Sequence, residues 1–373
     1  MKILMQIRDN YLTGPGGDTV QLLKTKEFLE RLNVNIDIST ELEPDLSEYD
    51  LVHLFNLTRI QETYVQAQNA VKQHKPIALS TIYWPFNEIN EDGFKGLRKI
   101  IYRILPSDRI ESIKAIYKFL FRKERNKGCL QLIFGSYSKM QRWVIEHADI
   151  CLPNAEGEMR KLEETFALKN LPYIVVPNAI DSFNVNEADS SQSTKYSKYK
   201  GYILCVARIS RRKNQILLID ALENTEYKVL FVGKSSPGEM DYYQEFCNRI
   251  SRTSKMEHIE SIPNKELYLL YKECKVSVLP SWFETPGLVS LEAAAMGCNI
   301  AITDKGTTRD YFGDKAFYFE LSKDSILNKV QMAFDAPSDI ELKQLVRTNY
   351  TWEKAAEQTL KAYKILIGEK HGD

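Results

Sequence analysis

The 373-residue chain has no apolar run near the roughly 20 residues needed to cross a bilayer, so any membrane contact is expected to be peripheral. Net charge is missing as well. Fifty Lys and Arg balance fifty Asp and Glu, which implies no global attraction to nucleic acid. Cysteine is sparse and scattered. The six, at positions 129, 151, 205, 247, 274 and 298, form no C-x-x-C and have no histidine at zinc spacing. They read as reduced, mostly buried thiols of a cytoplasmic protein. The opening MKILMQIRDNYL is too short and too soon charged for a signal peptide. D-x-D and clustered His/carboxylate ligands are both absent, so the sequence offers no recognisable metal site. No cofactor is expected.

What is present is alternation. Short apolar runs separate longer helical patterns, which argues for parallel α/β sheets, and the length suits two domains. Strands are expected at 2–7, 34–38, 51–54, 77–80 and 150–153, with 173–177 closing the first half. Residues 19–32 read as an amphipathic helix capped by Asp18, burying Val20, Leu23, Phe28 and Leu32. Residues 182–200, SFNVNEADSSQSTKYSKYK, are polar, Ser-rich and aperiodic, and read as a linker or exposed loop. Strands then resume at 202–206, 228–232, 276–279 and 299–303, with helices at 215–222, 264–272, 288–296 and 352–367. Two Rossmann-like domains are expected: 1–181, completed by the C-terminal helix 352–373, and 201–351.

The most informative stretch is SWFETPGLVSLEAAAMGCNIAITDKG, residues 281–306. A strand ends at Pro280, a loop carries Glu284, Thr285, Pro286 and Gly287, and a helix begins at Leu288. That order puts an acid at a strand's C-terminal end. It also turns unpaired helix N–H groups toward the same place, as an anion requires. Glu292 rides on the helix. Backbone amides for a diphosphate and two carboxylates for hydroxyl groups suit a sugar joined to a nucleotide. An isolated pair of acids at this spacing would as readily be surface carboxylates; the strand–turn–helix setting argues against that.

Glu284 and Glu292 with Gly287 between them resemble the E-x7-E signature of retaining family-four glycosyltransferases of the GT-B fold, of the bacterial polysaccharide and glycolipid type. The resemblance extends along nearly the whole chain and is strongest over 200–310. It implies two domains facing a central cleft, with the last helix crossing back to the first domain. Arg208 and Lys213 match the family's Arg-x4-Lys pair, which opposes charge growing on the departing diphosphate. Gly233 matches its Val-Gly element, Ile262 and Pro263 its base-stacking loop, and Gly306, Thr307 and Thr308 a polar turn. Gly16 and Gly17, in YLTGPGGDTV, match its Gly-Gly loop beside the diphosphate. A dinucleotide fingerprint fits poorly, because Pro15 lies in the turn and Thr19 replaces the third glycine.

The acceptor side is less regular. Many relatives have a His where this chain has Tyr83 and Trp84, and His53 reads equally as a cleft or a core residue. LPNAEGEM (152–159) and VPNAID (176–181) resemble paired family segments, with Ala155 and Ala179 at positions where Ser or Gly is usual. Asn178 and Asp181 there read as hinge-loop structure first and acceptor contacts second. Residues 95–127 carry eleven Lys and Arg against three Asp and Glu, interleaved with Ile, Leu, Tyr and Phe. Such a stretch suits an anionic membrane surface or two surface helices with solvated basic faces. Its place in the acceptor half favours the membrane.

The resemblance implies a retaining, metal-independent hexosyltransferase. It would move a sugar from a UDP- or GDP-sugar to a glycan or lipid-linked acceptor, in the cytoplasm or at the inner membrane face. A catalytically silent sugar-nucleotide or glycan-binding protein is the alternative, and a NAD-dependent oxidoreductase is disfavoured.

Overall fold

The computed structural model describes residues 1–85, 108–110, 112–113, 116, 127–285 and 287–368. The chain divides into two compact units, Met1–Asn178 with Trp352–Asp373, and Ala179–Thr351. Most of the expected basic stretch 95–127, and Pro286, lie outside the described residues.

The first unit is built on a parallel sheet of β1 (Lys2–Gln6), β2 (Asn35–Ser39), β3 (Leu51–Phe55), β4 (Ile77–Ser80) and β5 (Ile150–Cys151), in the order β2-β1-β3-β4-β5. Every residue of β3 and β4 is buried, as expected where helices cover both faces of a parallel sheet. Residues 173–177 contribute only an isolated bridge, Cys151 to Tyr173.

The helix Gly17–Arg31 starts two residues before its expected position, with Gly16 as N-cap, and Asp18 lies in its first turn. Its inner face also differs from expectation. Asp18, Gln21, Leu22, Thr25, Phe28 and Leu29 are buried, whereas Val20, Leu23 and Leu32 are exposed. The buried stripe still has the i, i+3, i+4, i+7 spacing of a helix face, but half of it is polar. Gln21 can be buried because its amide donates to Asn154 Oδ1 at 2.9 Å. The C-terminal helix Trp352–Leu366 packs against this helix within the same unit.

The second unit holds a six-stranded parallel sheet: β6 (Ile203–Val206), β7 (Val229–Val232), β8 (Met256–Ile259), β9 (Val276–Leu279), β10 (Asn299–Thr303) and β11 (Phe317–Phe319). Their order is β11-β10-β9-β6-β7-β8. The strands at the two edges, β8 and β11, are the two that the apolar pattern did not predict. An edge strand is covered less, so its residues need not be uniformly apolar; Glu257, His258 and Ile259 of β8 are all only partly buried.

Of residues 182–200, expected to be a linker or exposed loop, 192–195 are exposed loop, but the first part is helical. Asp181 caps a helix, Ser182–Ser190, by accepting from the N–H groups of Phe183 and Asn184 at 3.1 and 3.3 Å. That helix packs on the helix Asn264–Glu273. Lys272 Nζ fastens its end by donating to the carbonyls of Ala188, Asp189 and Ser191. A polar sequence lacking apolar periodicity is thus held in place by capping and side-chain hydrogen bonds.

Candidate active site

In the second sheet β6 sits between β7 and β9. The chain leaves β6 toward one side of the sheet and returns on the other, so the loops beyond the C-terminal ends of β6 and β9 diverge. Such a switch point is where open α/β sheets bind ligands. The β6 loop ends in a short 3₁₀ turn, Arg211–Lys213, started by Ser210, whose hydroxyl accepts from Lys213 N–H at 3.3 Å. The β9 loop brings Glu284. Lys213 Nζ and Glu284 Oε1 form an ion pair across the switch point, with side chains only 13 % and 5 % exposed.

Burial penalises both charges. It lowers the Lys213 pKa despite the opposing pull of Glu284. For Glu284 burial acts upward, but the fields of Lys213 and Arg212 outweigh it and hold the carboxyl below its usual range. Arg212 was absent from the expected site. Its guanidinium lies over the Phe283 ring, 5.4 Å from the centroid, next to the paired acid. In the sequence its only signal was adjacency to Lys213.

The Glu284 backbone is clamped from the turn after β10. Glu284 N–H donates to Lys305 O at 3.2 Å, and Thr307 N–H donates to Glu284 O at 2.9 Å. Gly306 makes this possible. Its φ is +100°, and a β-carbon there would sit 2.0 Å from Glu284 O. The expected polar turn 306–308 therefore acts first as a rigid seat for the acid. Gly287, the N-cap of the helix Leu288–Met296, is buried; a β-carbon there would lie 3.4 Å from Glu284 Oε2 and 3.5 Å from Ser290 Oγ. Thr285 and Leu288 beside it are half-buried. The buried hydroxyls of Ser290 and Thr307 have no hydrogen-bond partner among the described residues. Carboxylate, helix N-terminus and hydroxyl thus converge on one place.

Glu292 is partly buried on the same helix. Tyr271 Oη donates to its Oε2 at 3.1 Å, and Tyr268 Oη to its Oε1 at 3.4 Å. Burial pushes its pKa up to about 7, against the two tyrosines' lowering effect. Neither tyrosine was picked out from the sequence, where only a helix over 264–272 was expected.

Arg208 stands exposed just beyond β6. Gly233, at the end of β7, lies against the backbone preceding it: a β-carbon on Gly233 would fall 1.9 Å from Ala207 O. The two loops are further tied by Ile209 N–H to Lys234 O at 2.9 Å. Of the residues expected at the donor site in this unit, Glu284, Lys213, Gly287 and Leu288 come together. Glu292 lies further along the helix, and Arg208 and Gly233 border the neighbouring strand end.

In the first unit β1 lies between β2 and β3, and the switch point there is held by a second buried ion pair. Arg8 Nε and Nη2 donate to the two carboxylate oxygens of Asp18 at 2.7 and 3.0 Å, and Asn56 Nδ2 donates to Asp18 Oδ2 at 3.1 Å. Arg8 also reaches Asn10 O and Gly14 O. These contacts shape the loop that ends in Gly16 and Gly17. The sequence reading missed Arg8 because a lone arginine after a strand carries no pattern.

His53 is a core residue, 1 % exposed. Its Nδ1 meets Tyr363 Oη at 2.6 Å and its Nε2 meets Ser80 Oγ at 2.9 Å, so both ring nitrogens are used in joining the sheet to the C-terminal helix. Tyr83 is buried too, its ring 5.5 Å from that of Phe166. Its N–H donates to Glu158 Oε1 at 2.7 Å. The fully buried Glu158 also accepts from the Thr81 hydroxyl and Asn154 N–H, which fixes the turn after β4. Trp84 is half-buried and Asn178 is buried at the end of the unit. Tyr83 and His53 are therefore packing residues, and both enter the interior through neighbours remote in sequence.

Known proteins agree with this architecture. Sucrose-phosphate synthase from Thermosynechococcus elongatus superposes with a TM-score of 0.73 at 14 % identity, over 99 % of this chain and 100 % of that one. Anabaena HepE, solved in complex with UDP and glucose, superposes with a TM-score of 0.65 at 15 % identity, over 98 % and 100 %. The fold is that of the GT-B glycosyltransferases. Residues 186–347 match the family of group 1 glycosyl transferases. That range contains Arg208, Lys213, Glu284 and Glu292.

Among curated relatives, the Campylobacter jejuni N-acetylgalactosamine-N,N'-diacetylbacillosaminyl-diphospho-undecaprenol 4-alpha-N-acetylgalactosaminyltransferase is 27 % identical over 173 residues, 46 % of each chain. The chain spans about half the length of the curated relatives it matches. Among the described residues, no helix is long and apolar enough to cross a membrane.

Proposed function

We propose that this protein is a retaining, metal-independent glycosyltransferase that moves a hexose from a nucleoside-diphosphate sugar to a hydroxyl acceptor. The observation that carries this reading is the buried Lys213–Glu284 pair beside the N-terminus of the helix Leu288–Met296. A cation and free backbone N–H groups suit a diphosphate, and a carboxylate fixed next to them suits a sugar hydroxyl or developing positive charge. Glu292 is assigned to the ribose hydroxyls.

In this mechanism the bond from the anomeric carbon to the phosphate oxygen breaks as the acceptor oxygen bonds to that carbon from the same face. The acceptor's proton passes to the departing phosphate, so no separate base is needed. Arg208 and Lys213 oppose the charge that grows on the diphosphate. UDP- and GDP-sugars are the donor candidates, with a glycan or lipid-linked hydroxyl as acceptor; the Campylobacter relative named above acts on such a lipid-linked sugar. The test is incubation with a panel of UDP- and GDP-sugars, following nucleoside diphosphate release. Release from one donor class supports the reading, and loss of it in Glu284→Gln ties the activity to this site.

A further inference from the structure

The helix Asn264–Glu273 packs on the helix Leu288–Met296 and presents two tyrosines three residues apart. At this spacing both side chains lie on one face. Their rings meet edge to face, 6.1 Å between centroids, and both residues are at most 1 % exposed. Each hydroxyl meets a different oxygen of the Glu292 carboxylate. A carboxylate oxygen accepts two hydrogen bonds, so each keeps a lone pair for another donor.

We propose that Tyr268 and Tyr271 are positioning residues for the nucleotide: gripping one carboxylate oxygen each, they orient Glu292 toward the two adjacent hydroxyls of the donor's ribose. This rests on the proposed function, in which Glu292 binds the donor. A glutamate has three side-chain torsions, and unsupported it would spread over several rotamers. Two phenols fixed by packing remove that freedom before the nucleotide arrives. They also favour the ionised carboxylate, which must accept from both ribose hydroxyls.

The other groups around Glu292 do not replace them. Asp181, at the start of the helix Ser182–Ser190, adds a like charge that disfavours ionisation. Arg347, from the helix Ile340–Asn349, is taken up by Asp189 at 2.6 Å and by Ala295 O at 2.7 Å. The Cys298 thiol turns to Tyr271 O at 3.0 Å. The tyrosines are thus the donors to the acid among the described residues.

The experiment is calorimetric titration of the full chain with UDP and with GDP, from pH 6 to 9, on wild type, Tyr268→Phe, Tyr271→Phe, Glu292→Gln and Tyr271→Phe/Glu292→Gln. Phenylalanine keeps the ring and its packing, so the fold should persist. Wild-type affinity should rise through neutral pH as Glu292 ionises, with a midpoint of about 7. Tyr271→Phe should bind the preferred nucleotide roughly 3- to 10-fold more weakly at pH 7 and move that midpoint upward. The same hydroxyl removed from the Glu292→Gln background should change little, because the two act as one unit. Steady-state kinetics should show a raised donor KM with kcat nearly unchanged. An unshifted midpoint and full affinity in both tyrosine variants, with Glu292→Gln impaired, would overturn the positioning role alone. Equal loss in wild-type and Gln backgrounds would do the same, marking the tyrosines as structural. Full affinity in Glu292→Gln would overturn the assignment of Glu292 itself.

Discussion

Lys213 and Glu284 come from loops beyond two different strands, 71 residues apart, yet their charges meet inside the second unit. A pair this buried is costly to break from one side. Removing one partner of such a pair costs about 3–5 kcal/mol, because the remaining charge is left without compensation. Lys213→Met should therefore lower both stability and turnover. Lys213→Met combined with Glu284→Gln should recover much of the stability, since neither charge remains, and none of the activity. Thermal melts and turnover of the two variants side by side measure this separation.

Arg208 should behave differently. It is exposed, so Arg208→Ala should cost far less stability than Lys213→Met. If it opposes charge on the leaving diphosphate, turnover should still drop about 10²–10³-fold. A melt within error of wild type beside a rate within twofold of wild type would remove Arg208 from the mechanism.

Burial holds His53 neutral, with its pKa lowered to about 3. The unfolded chain takes up that proton near pH 6.5. For a base whose folded pKa is depressed, stability is fully present above pH 6.5 and is lost as pH falls toward 3. By pH 5 the loss from this group alone is about 2 kcal/mol. Urea denaturation of wild type and His53→Gln at pH 7 and pH 5 isolates it. The wild type should lose more between the two pH values than the variant, and equal losses would place the titration elsewhere.

Much of the second unit was legible because its motif is local. Strand β9, the acid loop and the helix Leu288–Met296 follow one another, and each boundary is marked by Pro280, Gly287 or Gly297. The helices Gln215–Leu222 and Leu288–Met296 and the strands β4, β9 and β10 have their expected bounds. Two kinds of feature escaped. The edge strand β8 escaped because partial cover admits the polar Glu257 and His258, and β11 because three residues, Phe317–Phe319, are too few to show a pattern. Arg8, Tyr268 and Tyr271 escaped because a buried polar group is recognised by its partner, which is distant in sequence. Reading apolar residues as the buried face failed on Gly17–Arg31 for the same reason: Asp18, Gln21 and Thr25 go inward.

The basic stretch 95–127 gives a prediction of its own, supported by exposed apolar side chains in and beside it. Ile113, Ile116, Leu130 and Phe134 are 40–87 % exposed. Each Lys or Arg near an anionic surface contributes about 1 kcal/mol, and the attraction is screened over roughly 10 Å at 0.1 M salt. The chain should cosediment with vesicles containing anionic lipid, release as salt rises, and ignore neutral vesicles. Equal, negligible binding to both would make these residues ordinary domain surface and favour a soluble acceptor.

The most direct measurement is the anomeric configuration of the product, read by proton NMR with the preferred donor and EDTA present. Same-face attack without a metal requires that an α-linked donor give an α-linked product at an undiminished rate. A β-linked product, or a reaction that stops in EDTA and resumes with Mg²⁺ or Mn²⁺, would contradict the retaining, metal-free mechanism assigned to Lys213, Arg208 and Glu284.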